Sequence, residues 1–206
     1  MEKFTRITAV AAPLLRINID TDAIIPSREM KTVGKTGLAA GLFANWRYRT
    51  PGSRDEAPDF VLNREPYRHA RILLAGANFG CGSSREHAVW ALHEWGIRAI
   101  IAPSFGAIFA GNCVRNGILP VVLDNAVVED LARQVEGDAS SPPLTVDLVE
   151  RTVTAPDGAR HAFAINDTDR EMLLEGLDGI AHTLKRDDAI LAFQAQDRLR
   201  RPWIYL

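Results

Sequence analysis

The sequence predicts an α/β fold in which a mostly parallel sheet is flanked by helices. Between residues 71 and 135, apolar runs rich in β-branched residues alternate with stretches of helical periodicity. Gly96 and Gly117 follow two of these stretches, where helices commonly end in a left-handed residue. Strands that alternate with helices pair in parallel through crossover connections. Such sheets bind ligands outside the carboxyl ends of their strands.

The first half of the chain is expected to be less regular. Residues 7–11 are apolar enough for a short strand, and 14–26 predict an extended segment interrupted by the acidic loop Asn18–Asp22. Small and apolar residues over 36–46 favour short helical turns, and the Pro- and Gly-rich stretch 50–58 predicts a surface excursion.

The regular elements follow from periodicity, caps and turn residues. In the alternating region, strands are expected at 71–75, 99–102 and 120–123, with helices at 84–95, 105–116 and 125–135. After a loop at 140–143, strands are expected at 144–149, 151–155 and 161–165, with helices at 166–177 and 187–200. The turn Pro156–Gly158 separates the last two strands, and the final helix ends before Pro202.

Composition indicates an ordinary globular protein. The chain has 206 residues, 47% hydrophobic and 24% charged, which suits a single domain over 1–206 with a C-terminal helical extension. Its net charge of −2 gives no electrostatic case for binding nucleic acid or a membrane. The N-terminus resembles neither a signal nor a transit peptide, so we expect a cytoplasmic protein.

Two cysteines, Cys81 and Cys113, are too few for a disulfide scaffold or a self-contained iron–sulfur or four-thiolate zinc site. Cys113 lies in an apolar helical pattern and is expected to be a small core residue. Cys81 precedes a predicted helix, a position where nucleophilic thiols occur, but the sequence places no histidine to activate it.

The octapeptide Gly80–His87 reads Gly-Cys-Gly-Ser-Ser-Arg-Glu-His and joins a buried strand to a helix. Flexible glycines before a helix can expose its first backbone N–H groups, which bind anions. Ser83, Ser84 and Arg85 therefore predict a receptor for carboxylate or phosphate, with one hydroxyl available for proton transfer. The spacing of Ser83 and Glu86 also fits a capping box, and the two interpretations are compatible.

Several motifs together resemble the small subunits of 3-isopropylmalate dehydratases. The segment 72–120 contains Asn78–His87, then Ala102-Pro103-Ser104-Phe105 and Asn116-Gly117-Ile118-Leu119-Pro120. The blocks Asn18–Pro26, Gly41–Phe43 and Trp46–Tyr48 look like the same family. Motifs in this order are stronger evidence than any one of them.

The resemblance implies a swivelling β/β/α domain of the aconitase type, working as a separate chain. Its partner would be a large subunit that alone supplies the thiolates of a [4Fe–4S] cluster, so this chain would bind no cofactor. The reaction implied is the interconversion of 2-isopropylmalate and 3-isopropylmalate through isopropylmaleate in leucine biosynthesis, with a small dicarboxylate as substrate.

The resemblance also implies roles for individual residues. Ser83 would take the carbon-bound proton, which requires a hydroxyl held close to the alkoxide form in a site closed to water. Arg85 would clamp a substrate carboxylate with its planar fork, beside Ser84. Asp22 would orient the site or stabilise its own turn. Lys35 would also bind a substrate carboxylate. It stands where many relatives carry arginine, and lysine keeps the charge but loses the bidentate geometry.

The resemblance assigns the choice of substrate to the loop Ser27–Gly34. Met30 and Val33 would meet an isopropyl group, whereas Arg28 or Lys31 would favour an extra carboxylate. The alternative for each is a solvated loop side chain. His87, His93 and Glu94 are expected to be structural or interfacial, because their spacing gives no complete metal site.

Two classes of function stay open. The first is the catalytic half of a hydro-lyase for isopropylmalate or for homoaconitate, citramalate (citraconate) or dimethylmalate. The second is a non-catalytic module that binds an anion or regulates a partner. The presence of Ser83, Ser84 and Arg85 together favours the enzyme, because a scaffold needs only the cap.

Overall fold

Two four-stranded sheets form the centre of the protein in a computed structural model, which describes residues 1–31, 34–82, 85–136 and 143–205. The strands are β1 (Arg6–Ala9), β2 (Ala11–Leu14), β3 (Ile72–Ala75), β4 (Ala99–Ala102), β5 (Leu119–Val122), β6 (Leu144–Asp147), β7 (Thr152–Thr154) and β8 (Arg160–Ala162). The α-helices are α1 (Thr21–Ile24), α2 (Ala44–Arg47), α3 (Glu86–Trp95), α4 (Ala107–Arg115), α5 (Asn125–Val135), α6 (Asp167–Glu175), α7 (Gly179–Leu184) and α8 (Asp187–Arg200).

The parallel sheet has the order β2-β3-β4-β5, so each strand lies beside the next in the sequence. Every residue of β3 and β4 is buried, as expected for strands covered on both faces. Leu73 and Ile100 pair across the ladder and point into one core, whereas Ile72 and Ile101 point into the other. The predicted parallel sheet is confirmed.

The two faces of this sheet are covered differently. Helices α3 and α4 pack on one face, where Val89, Leu92 and Cys113 contribute to the first core. On the other face, Leu131 of α5 and Val146 of the second sheet contribute to the second core. Helices therefore cover one face of the parallel sheet, and the second sheet together with α5 covers the other, which agrees with the predicted aconitase-type β/β/α architecture.

The second sheet is antiparallel, with the order β1-β6-β7-β8. Its first pair joins residues far apart in the sequence, and the Thr8 and Thr145 hydroxyls share a hydrogen bond of 2.8 Å. The prediction of one strand over 7–11 is wrong, because β1 and β2 belong to different sheets and the chain changes sheet at Val10.

Most of the predicted elements occur where expected, within one or two residues. The strand 99–102 and the helices 125–135 and 187–200 have the predicted bounds. The extended segment predicted over 14–26 is wrong in part, because Thr21–Ile24 form the short helix α1. The Asp20 carboxylate caps this helix by accepting from the Ala23 N–H at 2.7 Å. Helix α7 was not predicted.

Helices α7 and α8 and the turn 202–204 carry an unusual concentration of exposed apolar side chains. Those exposed by half or more are Ile180, Leu184, Leu191, Phe193, Leu199, Trp203 and Ile204. Exposed apolar patches of this kind are typical of interaction surfaces. Among the described residues, no helix has the length and apolar character needed to cross a bilayer.

Candidate functional site

Three loops meet at the carboxyl ends of β2, β3 and β4. The Asn78 side chain donates to Asn18 Oδ1 at 2.8 Å, and the Asn78 N–H donates to Ser104 Oγ at the same distance. Backbone bonds reinforce the contact, since the Gly80 N–H donates to the Ile19 carbonyl at 2.7 Å. The described part of the octapeptide therefore lies at the strand ends, where the sequence predicted a site.

Two glycines allow these loops to approach closely. Gly80 has φ +72°, and a Cβ there would lie 2.1 Å from the Phe109 ring. A Cβ on Gly106 would lie 2.6 Å from the Gly80 carbonyl oxygen. Because neither position has room for a side chain, the start of α4 packs directly against the backbone of the octapeptide.

Arg85 and Asp22, two of the predicted site residues, form an ion pair through Arg85 Nη1 and Asp22 Oδ1. Arg85 is the N-cap residue of α3, with an extended backbone, and Asp22 lies in the first turn of α1. The Thr21 N–H donates to the Cys81 carbonyl at 3.1 Å, which fixes α1 against the octapeptide. This ion pair is the contact through which Asp22 would orient Arg85, and that role stays a prediction.

Ser83, Ser84 and Val33 lie outside the described residues. The predicted capping box involves Ser83 and therefore also lies outside the described residues. Glu86 is the first residue of α3, after the N-cap residue Arg85. Its carboxylate accepts from the Asn116 side-chain amide at 2.9 Å.

A cleft of about 330 Å³ opens at this junction and is called the strand-end cleft below. Its lining residues are Thr21, Asn78, Gly80, Cys81, Gly82, Arg85, Gly106, Ala107, Ile108, Phe109 and Asn112. Arg85 gives it a cationic side, while Ile108, which is 58% exposed, and Phe109 give it an apolar side. This combination suits an anion that carries an apolar group.

The side chains of the loop that follows α1 differ in their contacts and in their burial. Arg28 donates to Asn45 Oδ1 at 2.6 Å and Met30 is half-buried against the first core, whereas Lys31 is exposed. Sequence reasoning missed Glu29, which is buried and paired with Arg54 at 2.7 Å. This hydrogen bond from Arg54 lowers the pKa of Glu29.

Lys35 contacts the α3–α4 side of the protein. Its Nζ donates to Asn116 Oδ1 at 3.2 Å and lies 5.3 Å from the centre of the Trp90 ring. Sequence reasoning did not predict this contact, because Asn116 follows Lys35 by 81 residues.

Glu94 anchors the segment that follows Lys35. Its carboxylate accepts from the backbone N–H groups of Gly37, Leu38 and Ala39 at 2.6, 2.5 and 2.8 Å. Burial raises the pKa of Glu94, but the three N–H donors outweigh it and the pKa is lowered overall. The predicted structural role of Glu94 therefore agrees with its contacts.

Glu94→Gln is expected to lower the free energy of unfolding by about 1–2 kcal/mol at pH 7, after discounting for solvent exposure. Because the folded-state pKa is depressed, this stability is present above the ordinary pKa near 4.5 and is lost as pH falls through the folded value. Urea unfolding of both proteins between pH 3 and 7 measures the effect. Glu129→Gln, on an exposed face of α5, is the control; equal losses in the two variants would contradict the anchoring role.

The described residues contain no group of three or more His, Cys, Asp or Glu side chains placed to hold a metal ion. Cys113 is fully buried, and burial raises the pKa of its thiol well above the ordinary value, as expected for a core residue. Cys81 lines the strand-end cleft. The two cysteines of the sequence do not fit the ligation of a [4Fe–4S] cluster by this chain.

Two family models match the chain. The model described as the aconitase C-terminal domain matches residues 1–126, and the model described as LeuD_N matches residues 129–167.

Individual relatives match over nearly the full length. The chain is 62% identical to the 3-isopropylmalate dehydratase small subunit of Cupriavidus necator over 205 residues, which cover 100% of this chain and 99% of the relative. It is 51% identical to the protein of the same name from Rhodospirillum centenum, over 98% of each chain. A crystal structure of 3-isopropylmalate dehydratase from Methanocaldococcus jannaschii aligns with a TM-score of 0.65 at 26% identity, covering 92% of this chain and 99% of that one.

Proposed function

The chain belongs to the family of 3-isopropylmalate dehydratase small subunits, and we propose that it forms the hydro-lyase that interconverts 2-isopropylmalate and 3-isopropylmalate in leucine biosynthesis. The match over the whole chain confirms the family predicted from the motifs of its first 120 residues. The reaction passes through isopropylmaleate, and the proposal places it in the cytoplasm.

The observation that carries the proposal is the position of Arg85 at the strand-end cleft. 2-Isopropylmalate has two carboxylates and one branched apolar group. The Arg85 guanidinium is a donor suited to a carboxylate, and the exposed side chain of Ile108 is an apolar surface suited to the alkyl group. The cleft thus supports an anionic substrate with an apolar substituent.

In the proposed dehydration, Arg85 binds and orients a substrate carboxylate and Ser83 takes the proton from the substrate carbon. The electron pair of that C–H bond forms the double bond of isopropylmaleate as the C–O bond breaks and the hydroxyl group leaves as hydroxide. The proton on Ser83 and this hydroxide together make up the water that is lost. Rehydration reverses these steps with the hydroxyl added to the neighbouring carbon. Asp22 keeps the guanidinium of Arg85 in place through their ion pair. Positioning and acid–base groups of this kind must act together to remove a weakly acidic proton.

The proposal requires a large subunit as partner. When bound there, the [4Fe–4S] cluster supplies a Lewis acid for the leaving hydroxyl and a carboxylate. The exposed apolar side chains of α7 and α8 support association with another protein, and the small-subunit names of the relatives point in the same direction.

The proposal is tested by measuring kcat/KM for a panel of substrates. The enzyme is this chain reconstituted with cluster-loaded large subunit. We expect kcat/KM for 2-isopropylmalate to exceed the values for homoaconitate, citramalate and dimethylmalate by at least about tenfold. Citramalate and dimethylmalate lack part of the apolar contact, and homoaconitate would place a third carboxylate against an apolar surface. A higher value for another substrate would change the substrate assignment. A stable complex without turnover on any substrate would favour the anion-binding module instead.

A further inference from the structure

Asn112 is a buried polar residue of the strand-end cleft that the proposed mechanism does not use. It is 8% exposed and lies on helix α4, one turn beyond Ile108 and on the same face of the helix. Both residues line the strand-end cleft, to which Arg85 also contributes. The Asn112 amide therefore lies in the same cleft as the proposed carboxylate clamp.

The orientation of the Asn112 amide is fixed by its neighbour Arg115. The Arg115 guanidinium donates from Nη2 to Asn112 Oδ1 at 3.0 Å. Because a guanidinium has donors only, the amide oxygen must be the atom that faces Arg115, and the NH₂ group lies on the other side of the amide. The polar atom that Asn112 can offer to a ligand is therefore a donor, Nδ2.

This donor has no partner within the part of the chain that the structure describes. Asn112 makes one side-chain hydrogen bond there, through Oδ1, and Nδ2 is not sealed from solvent. Amide groups of residues as buried as Asn112 usually have their donors satisfied. A ligand oxygen in the strand-end cleft is a partner of the right chemical kind.

We propose that Asn112 binds a carboxylate of the substrate through Nδ2, as a neutral donor in the cleft that holds the cation of Arg85. The inference rests on the proposed function, which supplies a substrate with two carboxylates. The two oxygens of a carboxylate can accept about four hydrogen bonds, so one guanidinium does not use them all. A neutral amide adds a donor without a second charge to desolvate beside the apolar side of the cleft.

Two variants of Asn112 separate substrate binding from a structural role. The measurement is KM for 2-isopropylmalate in the reconstituted pair. Asn112→Ala removes the donor and the acceptor, and we expect KM to rise about tenfold. Asn112→Asp keeps the acceptor for Arg115 but replaces the donor with a negative charge that repels a carboxylate, and we expect KM to rise about a hundredfold.

A residue that served only to hold Arg115 would give the opposite order, because Asn112→Asp keeps that contact and Asn112→Ala loses it. KM does not depend on the number of active complexes, so the order can be read even if one variant folds poorly. Asn125→Asp makes the same change of charge at the exposed start of α5 and is the matched control, with KM expected within about twofold of wild type.

A KM in Asn112→Asp that is equal to or lower than the KM in Asn112→Ala would overturn the inference and leave the proposed function standing. Absence of turnover in the wild-type pair would overturn the proposed function and the inference with it.

Discussion

Ser83→Ala is expected to reduce kcat of the reconstituted enzyme by about a thousandfold, because positioned proton transfer contributes about 10²–10⁴ to enzymatic rates. Gly82 and Arg85 both line the strand-end cleft, and the sequence places the two serines between them. A serine hydroxyl near a helix start and a guanidinium has the positive surroundings needed to stabilise its ionised form. In the proposed mechanism, Ser83 is the group that accepts the carbon-bound proton.

The comparison with Ser84→Ala makes this prediction specific. Ser84 is proposed to bind substrate, so its loss should raise KM and lower kcat much less than the loss of Ser83. Native gels and size-exclusion chromatography should show unchanged assembly for both variants. If Ser83→Ala retained more than about a tenth of the wild-type kcat, the hydroxyl would not be the base.

Arg85→Lys is expected to lower kcat/KM for 2-isopropylmalate by about a hundredfold. Lysine keeps the charge but cannot make the two parallel hydrogen bonds that a guanidinium makes to a carboxylate. The guanidinium has five N–H donors, so its pairing with Asp22 leaves donors for a second carboxylate. Because the clamp also orients the substrate for proton removal, part of the loss should appear in kcat.

Steady-state kinetics of Arg85→Lys beside Arg133→Lys isolates this effect. Arg133 is an exposed arginine of α5 that pairs with Asp130 at 2.7 Å. Like Arg85, it therefore has an acidic partner. Its substitution should leave kcat/KM within about twofold of wild type. Similar losses in the two variants, or no loss in Arg85→Lys, would remove the carboxylate clamp from the mechanism.

The parallel sheet and the helices beside it were predictable because their signals are local. Ala99–Ala102 is a continuous apolar run, and the helix Asn125–Val135 is preceded by Asp124 and shows clear amphipathic periodicity. The placement of Gly80–Gly82 at a strand end followed from the same pattern. The second sheet was not predictable in this way, since β1 pairs with β6 across more than a hundred residues.

The contacts that organise the site were also beyond local patterns. The sequence placed Asp20 and Asp22 in a loop, but it gave no signal that Asp22 would pair with Arg85, 63 residues away. Arg47 is buried and donates to the Ala39 and Leu42 carbonyls, although an arginine is usually exposed. A structural or interfacial role was expected for Glu94, but nothing in the sequence indicated that its partners would be the backbone N–H groups of residues 37–39. The partners of such side chains are backbone groups that only the folded structure brings within hydrogen-bond distance.

The dependence of the rate on this chain tests the central claim most directly. With cluster-loaded large subunit held constant, the full-length chain is titrated and isopropylmaleate formation from 2-isopropylmalate is followed by ultraviolet absorbance. The account predicts a rate near zero without the chain and saturation at a fixed ratio of the two subunits. A rate that does not depend on the chain, or no rate at any ratio although a complex forms, would contradict it.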